Sequence, residues 1–439
     1  MTMNGFDLFA GAGGLSEGFI QAGFNIIGSV EKEKWACETQ KTRHIYHYLR
    51  ETKRLKYYWD YCRSTLSPEE IIDKREKIYK KNNDLSELID QTIWKAEFGN
   101  PLDDGDTMSS RGIIDLLEES ANFHKKNVDF ILGGPPCQAY SLVGRSRMGK
   151  QVRNDKRNYL FKYYYNVVKH FKPAFFLFEN VPGIVSANDG AIFKMIKEDF
   201  NEIGYEFKAG PHENIHLNIQ VASNYGVPQS RKRFIFIGFR KDLQIKYPEC
   251  NPIEYKKELT TRNAIGDLPL LCAGEGNDHG VFDYQKLNDL SGYQEKMKID
   301  AEGVMNHRAR PLNKWYDRKI YTIAIIKAEK GEKIHYSELP PNLKTHKNET
   351  NFQDRFRVHA WDEMPHTIVA HISKDGHYNI HPDINQLRAL TVREAARIQS
   401  FPDNFKFEGS RSSQYEQVGN AVPPLMAEKI AYRIKEMLN

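Results

Sequence analysis

The side chain in this sequence best suited to nucleophilic chemistry is a cysteine held in a turn of glycines and prolines. Residues 133–138 read GGPPCQ and follow an apolar run at 128–132. The two prolines fix φ and remove two N–H donors, so Cys137 is held rigidly where the predicted strand ends. An inert cysteine is expected inside a strand or on an apolar helix face. A free thiol has a pKa of about 8.5, so Cys137 needs nearby cations or a helix N-terminus to act as a nucleophile.

Basic residues follow this cysteine directly. They are Arg145, Arg147, Lys150, Arg153, Lys156 and Arg157. Such a run would face a phosphate backbone and act as a mobile lid. The alternative is a solvated loop, which is what a run of charges usually forms.

Candidate acid and anion-binding groups end two further apolar runs. Glu179 follows residues 174–178, and the apolar wall beside it would raise its pKa so that it could donate a proton. The alternative is a carboxylate that caps a neighbouring helix. Gln229, Arg231 and Arg233 alternate, so on a strand the two arginines would bind an anion or a carbonyl together. The alternative there is an edge strand with solvated charges.

A glycine-rich turn near the start of the chain predicts a nucleotide-like ligand. Residues 9–14 read FAGAGG, between a short apolar run and a helical pattern. Such a turn lets the backbone approach a ligand closely, although tight turns also need glycine for conformation alone. Glu31 ends the second predicted strand, about 20 residues later, where it would accept hydrogen bonds from ribose hydroxyls. Phe9 would stack on the base, and the pattern leaves NAD and S-adenosylmethionine both open.

The elements that must position these residues alternate between strand and helix. Apolar runs at 6–9, 25–30, 128–132, 174–178 and 234–239 predict a doubly wound α/β sheet. Because such sheets bind ligands outside the carboxyl ends of their strands, the glycine turn, Glu31, Cys137 and Glu179 are expected in one crevice.

Two stretches break this alternation. Residues 44–100 are rich in Tyr, Lys and Arg and predict peripheral solvated helices, with a nucleic-acid-contacting arm as the alternative. From 241 to 405, turns and short β-like pieces at 321–326 and 367–372 predict a second domain.

Composition narrows the class of protein. The 439 residues are 40% hydrophobic and 28% charged, with a net charge of +5, which fits a globular chain and permits contact with a polyanion. The sequence has no run of about 18 apolar residues and no secretory signal pattern, which predicts a cytoplasmic, nucleoid-associated protein without membrane contact. Five cysteines without a CxxC pair predict neither disulfides nor a metal site.

Taken in order, these motifs resemble the DNA (cytosine-5) methyltransferase family, of the prokaryotic restriction-modification type. Six segments carry the resemblance. They are 6–14 (FDLFAGAGG), 134–138 (GPPCQ), 179–181 (ENV), 229–233 (QSRKR), 390–403 (LTVREAARIQSFPD) and 419–424 (GNAVPP). The insertion at 44–100 and most of 270–350 lie outside it.

The resemblance implies a covalent mechanism. Cys137, with Gln138 beside it, would attack C6 of a cytosine rotated out of duplex DNA, and Glu179 would protonate N3. Arg231 and Arg233 would hold O2 or the sugar-phosphate. For S-adenosylmethionine, the resemblance implies a cradle at Phe9, Ala10, Gly11, Gly13 and Gly14. It assigns Glu31 to the ribose, Asp106 to the adenine amino group, and Pro136, Asn420 and Val422 to the same pocket.

The resemblance also divides the chain. Residues 1–245 with 412–439 would form a Rossmann-like catalytic and cofactor domain, and residues 246–411 a smaller, irregular, β-rich target-recognition domain and hinge. Cations that would contact DNA there are Arg308, Arg310, Lys314, Arg318, Lys327 and Lys330. The partners implied are double-stranded DNA and a companion restriction endonuclease, with the enzyme acting as a monomer.

Three other functions fit part of the pattern. A dinucleotide-dependent oxidoreductase explains the glycine turn and Glu31 but gives no role to Cys137 or Glu179. Methylation of tRNA uses the same chemistry, and the long recognition segment favours duplex DNA over it. A non-catalytic DNA-binding descendant would not need an intact Cys137, Glu179 and Arg231.

Overall fold

A mostly parallel sheet forms the centre of the molecule. The computed structural model describes residues 2–64, 68–80, 83–99, 107–108, 110–136, 160–207, 218–245, 259–345 and 353–438. The strands in these ranges are β1 (Asn4–Leu8), β2 (Asn25–Glu31), β3 (Ile93–Lys95), β4 (Glu97–Phe98), β5 (Thr107–Met108), β6 (Phe130–Gly133), β7 (Phe175–Asn180), β8 (Tyr205–Glu206), β9 (Ile219–Val221), β10 (Lys232–Arg240), β11 (Gly276–Asn277) and β12 (His307–Arg308).

The main sheet has the order β3-β2-β1-β6-β7-β10-β8, with β9 paired to β10. The five strands β3, β2, β1, β6 and β7 are parallel to one another, and β10 is antiparallel to its neighbours. The chain leaves β1 for β2 on one side and later returns to β6 on the other side. The carboxyl ends of β1 and β6 therefore form a topological switch point, where such sheets bind ligands.

Helices cover both faces of this sheet, and further helices pack elsewhere in the molecule. They are α1 (Gly14–Gln21), α2 (Lys34–Glu51), α3 (Leu55–Cys62), α4 (Pro68–Lys80), α5 (Asn83–Asp90), α6 (Ser110–His124), α7 (Leu160–Phe171), α8 (Ala191–Glu202), α9 (Thr261–Ile265), α10 (Gly292–Met297), α11 (Trp315–Glu329), α12 (Val392–Ile398), α13 (Arg411–Asn420) and α14 (Pro424–Leu438). Along β6, Phe130 and Leu132 pack in the core with α1 and α14, whereas Ile131 packs in the core with α6 and α7. This alternation explains why β6 carries apolar residues on both faces, and the two helical layers confirm the predicted α/β class. None of the helices in the described ranges is long and apolar enough to cross a membrane.

The predicted insertion is helical as far as α5, whereas its last part forms β3 and β4, and the insertion is not peripheral. Tyr58 and Trp59 of α3 are each 1% exposed. The Tyr58 hydroxyl donates to the carbonyl of Asn404 at 2.7 Å, and the Tyr61 hydroxyl donates to the Glu408 carboxylate at 2.7 Å. These contacts join α3 to residues 404–408, more than 340 positions later in the sequence. The buried aromatic rings are therefore core residues and cannot stack on nucleic-acid bases.

The expectation of β structure in the second part of the chain is wrong at both predicted pieces. Residues 321–326 lie in α11, and residues 367–372 are irregular, overlapping a 3₁₀ helix at Ala370–Ser373. In α11 the buried residues Ile320, Tyr321, Ala324 and Ile325 recur at helical spacing and form one apolar face. That periodicity outweighs the β preference of Tyr, Thr and Ile in the same stretch. In the described part of 246–411, strand structure is limited to the short β11–β12 pair and isolated bridges.

Candidate active site

A cavity of about 1040 Å³ opens at the carboxyl ends of the central strands. Most of the predicted site residues in the described ranges line it. They are Phe9, Ala10, Gly11, Gly14, Glu31, Pro136, Glu179, Arg233, Asn420 and Val422. The expected convergence of the glycine turn, the acidic strand end and the Glu-Asn-Val segment is thus confirmed.

The glycine turn between β1 and α1 is tight, and it packs against residues from distant parts of the chain. Gly11 and Gly13 have φ of 56° and 83°, a region that favours glycine. Gly13 itself is not among the cavity-lining residues. A Cβ atom on Gly14 would lie 2.4 Å from the carbonyl oxygen of Val422, so the turn and the distant C-terminal segment are in direct contact. The Phe9 ring lines the cavity and stacks on Phe98, with ring centroids 4.7 Å apart.

Glu31 is fixed at the end of β2 by three backbone N–H groups. Its Oε2 accepts from Gly11 at 2.7 Å, and its Oε1 accepts from Lys32 and Glu33 at 2.8 Å each. Burial raises the pKa of this carboxyl, while the three hydrogen bonds oppose the rise. Three N–H donors leave about one of the four acceptor positions of the carboxylate unused, and Glu31 lines the cavity, so it can still accept a hydrogen bond from a ligand hydroxyl.

Glu179 and Arg233 form an ion pair across the β7–β10 ladder. Ile235 is directly opposite Glu179, so Arg233, two residues along β10, lies diagonally on the same face. The Arg233 Nε atom is 2.7 Å from Glu179 Oε1, and each side chain is 14% exposed. Burial raises the pKa of Glu179, and the positive charge of Arg233 partly offsets this rise. The pair presents a carboxyl group with a proton affinity above that of a solvated glutamate.

The turn that leads to Cys137 starts beside this carboxyl group. A Cβ atom on Gly134 would stand 2.6 Å from Glu179 Oε2, so a larger residue there would displace the carboxyl group. The Asn180 side-chain amide donates to the carbonyl of Pro135 at 3.2 Å and fixes the turn from the other side.

Several predicted residues lie outside the described ranges. They are Cys137, Gln138, Asp106 and the basic run from 145 to 157.

Arg231 is placed differently from the expectation. It precedes β10, is 0% exposed and does not line the cavity. Its Nη1 donates to the carbonyl of Ile368 at 2.7 Å, and its Nη2 donates to those of Gly419 at 2.9 Å and Asn420 at 3.4 Å. The alternation of arginines therefore does not put both on one ligand, because only Arg233 belongs to the strand that faces the cavity.

The cations expected to contact DNA fall into three groups. The Arg310 guanidinium donates to the carbonyls of Ile372 and Ser373 at 2.9 and 2.8 Å, so it holds a turn. Arg308 pairs with Asp278 at 2.7 Å, and Lys327 pairs with Glu338 at 2.7 Å. Lys314, Arg318 and Lys330 are exposed.

Asp7 forms part of the cavity wall, although it was not among the predicted site residues. It is 1% exposed and accepts a hydrogen bond from the Ser16 hydroxyl. Burial raises its pKa to about 7, and the nearby carboxylates of Glu31 and Glu179 add to the rise. In the sequence, Asp7 stands out as the lone acidic residue within the apolar run at 6–9, and this feature could have identified it. In the described ranges, no cluster of three or more His, Cys, Asp or Glu side chains could hold a metal ion.

The C-5 cytosine-specific DNA methylase family model matches residues 3–56 and 68–436, which includes most of the insertion and all of 270–350. Type II methyltransferase M.Bpa9945I of Bacillus paralicheniformis is 51% identical over 99% of this chain and 98% of its own length. Type II methyltransferase M.DdeI of Desulfomicrobium norvegicum is 34% identical over 98% of this chain and 88% of its own.

Solved structures share the fold. A chain described as a DNA modification methyltransferase encoded within an E. coli prophage superposes with a TM-score of 0.64, at 22% identity over 100% of both chains. The Entamoeba histolytica methyltransferase EhMeth superposes with a TM-score of 0.51, at 15% identity over 99% of both chains. On the sequence matches, the chain belongs to the C-5 cytosine-specific DNA methylase family and is a type II DNA (cytosine-5) methyltransferase.

Proposed function

We propose that this enzyme transfers a methyl group from S-adenosylmethionine to C5 of a cytosine rotated out of a specific duplex DNA sequence. The observation that carries the proposal is the meeting of three groups in one cavity. These are the Glu179–Arg233 pair, the turn at 134–136 that leads to Cys137, and the glycine turn with Glu31.

The cavity wall suits S-adenosylmethionine. Glu31 presents a fixed carboxylate for the ribose hydroxyls, and the Phe9 ring offers an apolar surface for the adenine. A Cβ atom on Gly11 would meet nothing within 4 Å, so open space adjoins the turn where a ligand can approach the backbone. Asn420 and Val422 would close the opposite wall, and Asp106 would reach the adenine amino group. When bound, the cofactor supplies the electrophilic methyl group.

The protein's part in the chemistry is to make C5 of the base nucleophilic. The Cys137 thiolate would form a bond to C6 while the protonated Glu179 carboxyl donates its proton to N3, so the ring's electrons move toward C5. Arg233 holds the Glu179 carboxyl in place, and its guanidinium would contact O2 of the base. After methyl transfer, loss of the C5 proton to a base re-forms the ring double bond and releases the thiolate.

The target base must leave the DNA stack because its ring face is inaccessible within a duplex. Extrusion costs a few kcal/mol and requires contacts from the protein in compensation. We assign these contacts to the basic run at 145–157 and to the exposed cations of residues 246–411, which would form the recognition domain and hinge. The enzyme would act as a monomer on chromosomal DNA in the nucleoid and protect it from a companion endonuclease.

Bisulfite sequencing tests the proposal. DNA from cells that express the chain should show protected cytosines in one sequence context, and cells that express Cys137→Ser should show none. In vitro, tritiated methyl groups should pass to duplex DNA and not to tRNA. Labelling of tRNA alone would show that the substrate is tRNA and not duplex DNA. Protection of DNA by the Cys137→Ser variant would overturn the proposed chemistry.

A further inference from the structure

Gln229 and Arg231 bind both backbone polar groups of one residue, Ile368, in the distant 246–411 segment. The Gln229 Oε1 atom accepts from the N–H of Ile368 at 3.1 Å, and Arg231 Nη1 donates to the Ile368 carbonyl at 2.7 Å. Gln229, Arg231 and Ile368 are each 0% exposed. The backbone at Ile368 is therefore held by buried side chains that immediately precede β10.

The same two side chains hold the C-terminal end of α13. Arg231 Nη2 donates to the carbonyls of Gly419 and Asn420, and Gln229 bonds the Gln399 amide, whose Nε2 donates to the carbonyl of Ala421 at 2.6 Å. The last carbonyls of a helix have no partner within the helix, and a cation there is favourable. Arg231 therefore caps α13.

The two segments held in this way are also packed against each other. A Cβ atom on Gly419 would lie 2.2 Å from the amide nitrogen of Ala370 and 2.4 Å from the carbonyl carbon of Val369. Asn420, Ala421 and Val422 line the cavity. The Ser373 hydroxyl donates at 3.1 Å to Glu416, which also lines the cavity. A displacement of residues 368–373 would thus reach the cavity wall directly.

We propose that Gln229 and Arg231 form a buried clamp that makes the positions of residues 368–370 and of the 419–421 cavity wall depend on each other. Arg231 is then a positioning residue, while Arg233, two residues later, is the one that would contact the reacting base under the proposed function. DNA held by the 246–411 segment and cofactor held by the cavity would each favour the other's binding through this clamp. The coupling part of the inference rests on the proposed function, and the clamp itself does not.

Amide hydrogen exchange of the free enzyme tests the clamp without DNA or cofactor. In Arg231→Lys, peptides that cover 366–373 and 417–422 should exchange about 10-fold faster or more, because charge-assisted hydrogen bonds to buried carbonyls are lost. Arg233→Lys is the matched control and should leave both peptides at the wild-type rate. Wild-type exchange of both peptides in Arg231→Lys would overturn the clamp.

Two more variants keep the test decisive if Arg231→Lys folds poorly. Gln229→Ala removes the acceptor of the Ile368 N–H without removing a charge and should speed exchange at 366–373. Gly419→Ala forces the two segments apart from the opposite side, so it should speed exchange in both peptides. Wild-type exchange at 366–373 in both variants would overturn the clamp.

The coupling is measured as the ratio of DNA Kd values without and with S-adenosylhomocysteine, which cannot donate a methyl group. We expect a ratio of about 5 or more in the wild type, a value near 1 in Arg231→Lys, and the wild-type ratio in Arg111→Lys, which changes an exposed arginine of α6. A residue that only stabilised the fold would change both Kd values and leave the ratio intact. A wild-type ratio of 1 would overturn the coupling, whereas absence of any DNA binding would instead overturn the proposed substrate.

Discussion

Glu179 shows how a single residue obtains its properties from the strand that carries it. Its carboxyl group is buried at the end of β7, with Gly134 on one side and the Arg233 guanidinium on the other. Glu179→Gln replaces the acid with an amide of the same shape that cannot transfer a proton to N3. Turnover should fall by about 10²–10⁴-fold, with the cofactor Kd unchanged. Glu202→Gln, at an exposed position of α8, is the control, and unchanged turnover in Glu179→Gln would remove this residue from the mechanism.

Asp7 gives a prediction about pH that is independent of activity. Its pKa rises from 3.8 to about 7 in the folded protein, chiefly through burial. The native state therefore keeps a proton that the unfolded chain has already lost. This contribution to the free energy of unfolding is fully present below about pH 4, falls as the pH rises, and is gone above about pH 7.

Asp7→Asn should remove that dependence. Relative to the wild type, its free energy of unfolding should be higher at pH 8 than at pH 5 by about 2–3 kcal/mol. Urea unfolding of the cofactor-free protein at the two pH values measures the difference. An equal change in stability at both values would mean that Asp7 titrates as a solvated aspartate does.

At the scale of elements, the helical insertion is part of the folding unit. Trp59 is 1% exposed, whereas Tyr57, two residues earlier on the same helix, is 58% exposed. Trp59→Ala should lower the free energy of unfolding by about 3–5 kcal/mol, because a large buried ring is replaced by a cavity. Tyr57→Ala should change it by about 0.5 kcal/mol or less. If chemical denaturation gave the same small loss of unfolding free energy for both variants, the insertion would fold separately from the rest of the protein.

The strands of the sheet were predictable because their apolar runs and glycine-rich ends are local features of the sequence. The runs at 128–132, 174–178 and 234–239 correspond to β6, β7 and β10. Features that depend on contacts between distant parts of the chain could not be predicted from the local sequence. The buried face of α11 depends on its packing partners, and the role of Arg231 depends on carbonyls that lie up to 189 residues away. The aromatic residues of α3 were likewise predicted to be exposed, because the residues that bury them, 404–408, are remote in sequence.

At the scale of the whole molecule, the two ends of the chain form one unit. A Cβ atom on Gly18 of α1 would lie 2.4 Å from the Cβ of Ala427 and 2.5 Å from the carbonyl of Pro424, so α1 and α14 pack in backbone contact. Gly18→Ala should push the helices apart and cost about 1–3 kcal/mol in thermal or chemical unfolding. Gly292→Ala is the matched control, because its Cβ would meet nothing within 4 Å. Equal stability of the two variants would contradict this close packing.

The covalent step is tested most directly with duplex DNA that carries 5-fluorocytosine at the methylated position. Fluorine replaces the C5 hydrogen and cannot leave as a cation, so the Cys137 thiol cannot be released once the methyl group has been transferred. In the presence of S-adenosylmethionine, the wild type should form a protein–DNA adduct that survives denaturing electrophoresis, and Cys137→Ser should form none. Methylation of ordinary DNA with no trapped adduct from the wild type, or an adduct from Cys137→Ser, would contradict the proposed mechanism.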